Sequence, residues 1–310
     1  MARLRDLKRR MVSVKNTAKI TRTMELIATA KAKVCQDRVQ RALPYFHALA
    51  EIAGQARRAA GEDGQVAHPL LEQRAVKRVA ILVVVGNRGL CGGYNSNCLR
   101  MMRDHRARLQ AEGKEVRVFA SGKKALGWMR FQKIPAEGGY TQFDDKPPYA
   151  EVEKVADHLI GLFTAGEVDR VDVVYTHYFS AGRQAPVTET MLPIEVASAE
   201  AAKAPAVKAP AAGKAGAAEA KPGKAVTFTI EPDPKTILDA LFPMQAKLHL
   251  YRVYLESSTS EQIARRIAMK NASDNAVDVG KSLRMAYNRA RQSQITKEIL
   301  EVLGGAEALA

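Results

Sequence analysis

The sequence predicts an α/β domain inserted between two long terminal helices that pair as an antiparallel coiled coil. Three features carry that expectation: apolar residues at heptad-like steps near both ends of the chain, strand and helix patterns alternating between them, and an opening stretch that meets no Gly or Pro before Pro44.

The amino-terminal helix is expected over residues 1–58. Leu4, Leu7, Met11, Val14 and Ala18 recur at steps of 3, 4, 3 and 4, and Ile20, Met24 and Ile27 resume the pattern on a shifted seam. Strong helix formers fill "KNTAKITRTMELIATAKAKV", and Pro44 is expected only to kink the helix. At 1.5 Å per residue such a helix is roughly 80 Å long, longer than a compact domain is wide.

The carboxyl-terminal helix is expected over residues 235–310. Asp233 reads as an N-cap with Pro234 at the first helical position, and Pro243 allows a restart. Leu241, Met244, Leu248, Tyr251 and Leu255 follow steps of 3, 4, 3 and 4; Ala272, Ala276, Val279, Leu283, Ala286 and Ala290 then form an Ala-lined seam that a partner helix approaches closely. Gly304 and Gly305 read as the stop. Two such helices at opposite ends of one chain pair most simply with each other. Separate dimerising coiled coils are the alternative, but neither seam keeps an unbroken Leu-rich heptad repeat.

Between the helices, "RVAILVVV", "KEVRVFAS" and "RVDVVYTHY" read as strands, and "NSNCLRMMRDHRARLQAEG", "SGKKALGWMRFQ" and "YAEVEKVADHLIGLF" as helices. This alternation implies a parallel sheet covered on both faces, a Rossmann-like domain over residues 75–196. "QAPVTETMLPIEV" and "AVTFTIEP" read as edge strands, the second a return strand over 226–234. Residues 197–225 separate them, with 14 Ala, 3 Pro and 3 Gly, and read as a low-complexity flexible insert.

With 310 residues and 46% apolar content the chain can bury a sizeable core, and no apolar run approaches the roughly 20 residues of a membrane span. Net charge is +15, and residues 1–58 alone hold 14 Lys or Arg against 4 Asp or Glu, so an acidic partner is expected at that end. Cys35, Cys91 and Cys98 have neither disulfide nor metal spacing, and the six histidines are scattered; no catalytic, cofactor or metal site is predicted. The turn "GNRGLCGGYNSN" follows the first strand yet fails the G-x-G-x-x-G spacing, and "ASGKKA" lacks the upstream Gly and the hydroxyl of a phosphate loop.

Four stretches, "LRDLKRRMVSVKNTAKITRTMELIATAKA", "NRGLCGGYN", "SEQIARRIAMKNASDNA" and "YNRARQSQITKEILEVLGGAEA", closely resemble the gamma subunit of F-type ATP synthase. In the last, Ile295, Thr296, Glu298, Glu301, Gly305 and Ala306 fit the family's carboxyl-terminal signature. The insert departs from ordinary bacterial members; chloroplast members carry a regulatory segment with a cysteine pair, whereas this insert has no cysteine. The resemblance implies a non-catalytic rotor shaft without cofactors. Its partners would be three alpha and three beta subunits, the epsilon subunit and the c-ring of the membrane sector, on the cytoplasmic face of a bacterial inner membrane. By position it also implies that Arg265, Arg291, Gln292, Thr296 and Glu298 contact the catch region of beta and the surrounding sleeve. Lys19, Arg22 and Met24 would face beta's acidic lever loop. The opening "MARLRDLKRR" enters the helix at once, which favours a bacterial origin over an imported precursor.

A basic coiled-coil nucleic-acid-binding protein would explain the amino-terminal charge, but the cations lack interleaved aromatics and aromatics are only 6% of the chain. An α/β enzyme with Cys91 as nucleophile lacks a recognisable base.

Overall fold

A computed structural model of the chain describes residues 2–59, 68–194 and 234–307. The 197–225 insert and the return strand expected before Pro234 lie outside the described residues. The elements in order are α1 (Ala2–Ala59), a short 3-10 turn (Pro69–Leu71), β1 (Arg78–Val84), α2 (Tyr94–Ala111), β2 (Glu115–Ser121), α3 (Lys123–Phe131), β3 (Gly138–Tyr140), α4 (Tyr149–Thr164), β4 (Arg170–Ser180), β5 (Arg183–Leu192) and α5 (Pro234–Glu307). Helix α1 continues through Pro44, and α5 runs through both Pro243 and Gly304–Gly305. The restart at Pro243 and the stop at the glycines are therefore corrected. Each proline removes only one main-chain donor, and a helix packed along its length tolerates that loss.

The chain divides into two compact units. One is the α/β unit, residues 32–89 and 93–261. Its five-stranded sheet has the order β3-β2-β1-β4-β5, parallel except for the antiparallel pair β4–β5. The parallel strands need helical crossovers, whereas β4 and β5 turn directly into each other at Ala181–Gly182, which is why the edge is antiparallel.

Alternation along β1 sends its side chains to opposite faces. Val79, Ile81 and Val83 pack with Cys98, Leu99 and Met102 of α2 and Met129 of α3. Ala80, Leu82 and Val84 join the other core, with Val152, Leu159 and Phe163 of α4 and Leu238, Phe242, Ala246, Leu250 and Tyr254 of α5. The first part of α5 is thus a core element of the sheet domain. Sequence periodicity placed its apolar stripe on Leu241, Met244 and Tyr251, but those three are only half-buried. The stripe against the sheet instead steps by four from Leu238 to Tyr254. Leu248 and Leu255 are buried on another face, so this stretch is apolar on more than one side.

At the carboxyl ends of the strands, where open α/β sheets elsewhere bind ligands, α5 fills the space. The Tyr254 hydroxyl donates to Ser121 Oγ at 2.9 Å, and the Glu261 carboxylate lies so close over Gly86 that a Cβ there would come within 2.8 Å of it. Asn87 and Asn95 fasten the neighbouring turn: Asn95 Oδ1 accepts from Gly86 N at 3.0 Å, and Asn87 Nδ2 donates to the carbonyls of Thr141 and Phe143. Gly122 has φ +103°, and a Cβ there would lie 2.2 Å from the Val85 carbonyl oxygen, so only glycine fits. The Cys98 thiol is fully buried beneath the sheet, and burial pushes it up to about 12.

On the β4–β5 edge, burial would raise the Glu189 carboxyl, but it accepts from His249, Arg252 and Tyr175, and these hold it down to about 2. Its folded value lies below the ordinary 4.5, so the stabilisation is present above pH 4.5 and is lost as pH falls toward 2. Glu189→Gln is expected to remove on the order of 3 kcal/mol at neutral pH, with the gap from the parent closing by pH 2–3 in urea unfolding. Gly122→Ala is expected to destabilise the α/β unit by about 1–3 kcal/mol or more, read from the same unfolding midpoint.

Candidate functional site: the outer surface of the helix pair

The second unit comprises residues 1–31, 90–92 and 262–310, with α1 and α5 as its body. Along α1 the inward positions are Leu4, Leu7, Met11, Val14, Ala18, Thr21, Glu25 and Ala28, an uninterrupted alternation of steps of 3 and 4. The shifted seam expected through Ile20 and Ile27 is absent: these side chains are 60% and 52% exposed. The stripe instead runs through two polar residues whose groups are satisfied locally. Thr21 Oγ1 donates back to the carbonyls of Thr17 and Ala18, and Glu25 accepts from Arg22 Nη1 at 2.8 Å.

On α5 the inward stripe is Met269, Ser273, Ala276, Gly280, Leu283, Tyr287, Ala290 and Gln294, again at alternating steps of 4 and 3. Ala272 is half-buried, but Val279 and Ala286 are exposed and do not belong to the seam. Small residues do line the seam, and Gly280 faces Val14 across it, where an added Cβ would sit 3.9 Å from Val14 Cγ1. Burial deepens toward Ala28 on α1 and toward Ile263 and Met269 on α5, and declines toward Leu4 and Gln294, so the helices run antiparallel. In the short loop of this unit, Cys91 is buried and Gly92, at φ +58°, packs on Ala268.

The residues singled out from sequence lie on this unit's outer surface in two groups. Lys19 and Arg22 are exposed on α1 and Met24 is half-buried; Arg265 is half-buried on α5. Arg291, Gln292, Thr296 and Glu298 occupy successive exposed turns near the end of α5, where Glu298 accepts from Gln294 Nε2 at 3.0 Å. The Val14–Gly280 register puts these groups on opposite sides of that crossing, roughly 30 Å of helix apart. They form no single pocket.

Sequence reasoning missed the large apolar side chains outside the seam. Val12, Ile20 and Ile27 of α1 are half exposed or more, as are Ile299, Leu300, Val302 and Leu303 of α5, with Ile295 slightly less so. The signal was present in the seven-residue recurrence of Ile20, Ile27 and Val34, opposite the seam rather than in it. Exposed apolar rows of this extent mark a surface made to be enclosed by another. Among the described residues no helix is long and apolar enough to cross a membrane, and no three His, Cys, Asp or Glu side chains gather as metal ligands.

An antiparallel helix pair, sealed along one stripe and carrying cations and apolar rows outside it, in a chain whose middle folds as a separate α/β unit, has the features of a stalk-type subunit of a larger assembly. A family model described as ATP synthase matches residues 3–309. Curated relatives named ATP synthase gamma chain include one from Leptospira biflexa, 41% identical over 311 residues and covering all of both chains, and one from Rhodopirellula baltica, 40% identical over 310 residues and covering 100% of this chain and 99% of the relative. Among solved structures, a chain of the Euglena gracilis mitochondrial ATP synthase (OSCP/F1/c-ring, rotational state 3) has a TM-score of 0.64 at 17% identity, covering 99% of this chain and 95% of that one. The rotor of the same organism's enzyme gives a TM-score of 0.62 at 18% identity, covering 95% and 99%. These structures share the fold. The chain belongs to the ATP synthase gamma chain family.

The corrected seam yields a paired prediction. Gly280→Ala is expected to stabilise the helix pair by about 0.5–1 kcal/mol, because the added methyl meets Val14 at ordinary contact distance and removes a helical glycine. Ala286→Leu is expected to leave the thermal midpoint unchanged; a loss of several degrees would return Ala286 to the seam.

Proposed function

We infer that this chain is the central rotor shaft of an F-type ATP synthase, coupling ion flow through the membrane sector to ATP synthesis and hydrolysis at the catalytic beta subunits. The observation that carries the reading is the division of the helix pair into an inner stripe closed on itself and an outer surface of cations and unenclosed apolar side chains. A shaft turning within a sleeve needs both. As a gamma chain it is a non-catalytic subunit, working with three alpha and three beta subunits, epsilon and the c-ring. The family match gives the nucleic-acid reading no support.

The mechanism follows from asymmetry. Seen from outside, the α1 side offers Lys19, Ile20, Arg22 and Ile27, while the α5 side offers Met285, Arg291 and Ile299. Rotation therefore brings chemically different faces past each beta subunit in turn, and three identical sites are held in different states. We assign Lys19, Arg22 and Met24 to the face that passes beta's acidic lever loop. Arg265, Arg291, Gln292, Thr296 and Glu298 are assigned to beta's catch region and the sleeve, with Ile295, Ile299, Val302 and Leu303 as the greased end of the bearing. Exposed cation–carboxylate pairs contribute about 0–1 kcal/mol each, weak enough to break and re-form on every turn. We place the assembly at the cytoplasmic face of a bacterial inner membrane, a location supported by full-length similarity to bacterial gamma chains.

Arg291→Ala/Gln292→Ala tests the assignment. Losing one charge-assisted hydrogen bond of about 1.5–3 kcal/mol in the rate-limiting step corresponds to roughly tenfold or more. ATP hydrolysis by the reconstituted complex is expected to fall accordingly, while circular dichroism of the free subunit stays parental. Parental hydrolysis at full incorporation would remove both residues from the contact surface.

A further inference from the structure

Within the α/β unit, α5 meets the β4–β5 edge through a partly buried polar network that the rotor reading leaves unused. His249, Arg252 and Glu256 lie at steps of 3 and 4, one face of α5 over two turns. Opposite them stand Tyr175 and His177 of β4 and Glu189 of β5. Glu189 Oε2 accepts from Arg252 Nη2 at 2.8 Å and from His249 Nε2 at 3.0 Å, and Glu189 Oε1 accepts from the Tyr175 hydroxyl at 2.8 Å. Tyr175 has one proton, so its oxygen is left to accept from His177 Nδ1 at 3.0 Å, and that same nitrogen faces Glu256 Oε2 at 2.5 Å. Glu256 is buried, and its other oxygen lies 3.9 Å from Arg252 Nε.

Stability alone does not account for such a cluster, because buried ion pairs are commonly replaced by well-packed apolar side chains at no loss. The distinction between them is directional. Apolar contacts, such as those of Leu238, Phe242 and Ala246 with the sheet, are non-directional and let a helix roll or slide at little cost. Hydrogen bonds from His249 and Arg252, with the close approach of Glu256 to His177 one turn further on, fix the helix's rotation about its own axis and its register along the strands. Helix α1 makes its own contacts in the same unit, among them Gln36 to the Tyr178 hydroxyl and Arg38 to the Asp145 carbonyl.

We propose that the Glu189–Arg252–His249 and Glu256–His177 contacts are a rotational key, positioning residues that lock α5 to the sheet so that torque passes between the α/β unit and the shaft without slip. This rests on the rotor reading above. The key acts through α5, which continues beyond Glu261 as a strand of the helix pair.

The test uses the assembled complex of alpha, beta and this chain, immobilised through beta, with a bead on a cysteine introduced by Ala136→Cys at an exposed position; the native cysteines are all buried. Thermal angular fluctuation of the bead during the pause before ATP binding reports torsional stiffness. Glu189→Leu/Arg252→Met replaces the charges by apolar side chains, so the thermal midpoint is expected to hold while angular variance rises roughly twofold or more, since directional bonds have been exchanged for non-directional ones. Glu189→Gln is measured beside it, in case the double variant does not assemble, and is expected to raise the variance by a smaller factor. As a control, Arg117→Gln, which breaks bridges to Glu137 and Glu167 away from α5, should leave the variance parental. Parental variance in either key variant, in complexes that hydrolyse ATP and rotate, would overturn the key. Absence of ATP-driven rotation in the parental complex would instead overturn the rotor reading.

Discussion

One helix has to satisfy two cores, and most of the structure follows from that constraint. From Leu238 to Tyr254, α5 presents a stripe stepping by four residues to the sheet; from Met269 to Gln294 it presents a stripe alternating 4 and 3 to α1. A four-residue step advances 40° around the helix each time, so the first stripe winds around the axis, whereas the second stays nearly straight along a supercoil. Neither stripe could serve in the other's place. The stretch between them is buried on most sides, which explains why Thr259 and Ser260 are buried there, with Thr259 Oγ1 satisfied by the Leu255 carbonyl.

Helix α5 also determines what the α/β unit cannot do. Tyr254 and Glu261 occupy the crevice at the carboxyl ends of β2 and β1, the place where this class of sheet elsewhere receives a ligand. The fold retains the strand order and the glycine-bearing turn of a binding domain but uses both to hold a helix. Fold class alone would have suggested nucleotide chemistry, and function had to be read from what fills the site.

Much of this was legible in the sequence. The terminal helices, the three long parallel strands and their crossover helices were marked by period and by continuous apolar runs, because buried strands and amphipathic helices leave distinct patterns. The seams were less legible. Ile20 and Ile27 look like core residues and Thr21 and Glu25 do not, yet burial is reversed, since the two polar groups find partners within one turn of their own helix. Likewise Val279 and Ala286 outrank Gly280 and Tyr287 on hydrophobicity, yet they are exposed while Gly280 faces Val14 and Tyr287 is half-buried. The Glu189 network was invisible, because its members are scattered from Tyr175 to Glu256 and only the fold gathers them. The residues that resemblance assigned to partner contact lie on the outer surface, but nothing in the sequence pattern distinguished them from solvated positions.

The polar and apolar contacts are distributed in a way that suits a turning part. On the outer surface, cations such as Lys19 and Arg291 are exposed, so their interactions are screened and weak; on the rotor reading proposed above, that leaves no single orientation favoured strongly enough to trap the shaft. In the α/β unit the same types of groups are half-buried around Glu189, with Tyr175 and Glu256 buried beside them, so each bond is less screened and its geometry more tightly specified. Reversing this arrangement would defeat both tasks: strong buried pairs at the outer surface would stall rotation at one angle, and exposed weak pairs at the sheet edge would let the helix slip. On the two readings proposed above, the degree of burial is what separates a bearing from a fastening built of chemically similar groups.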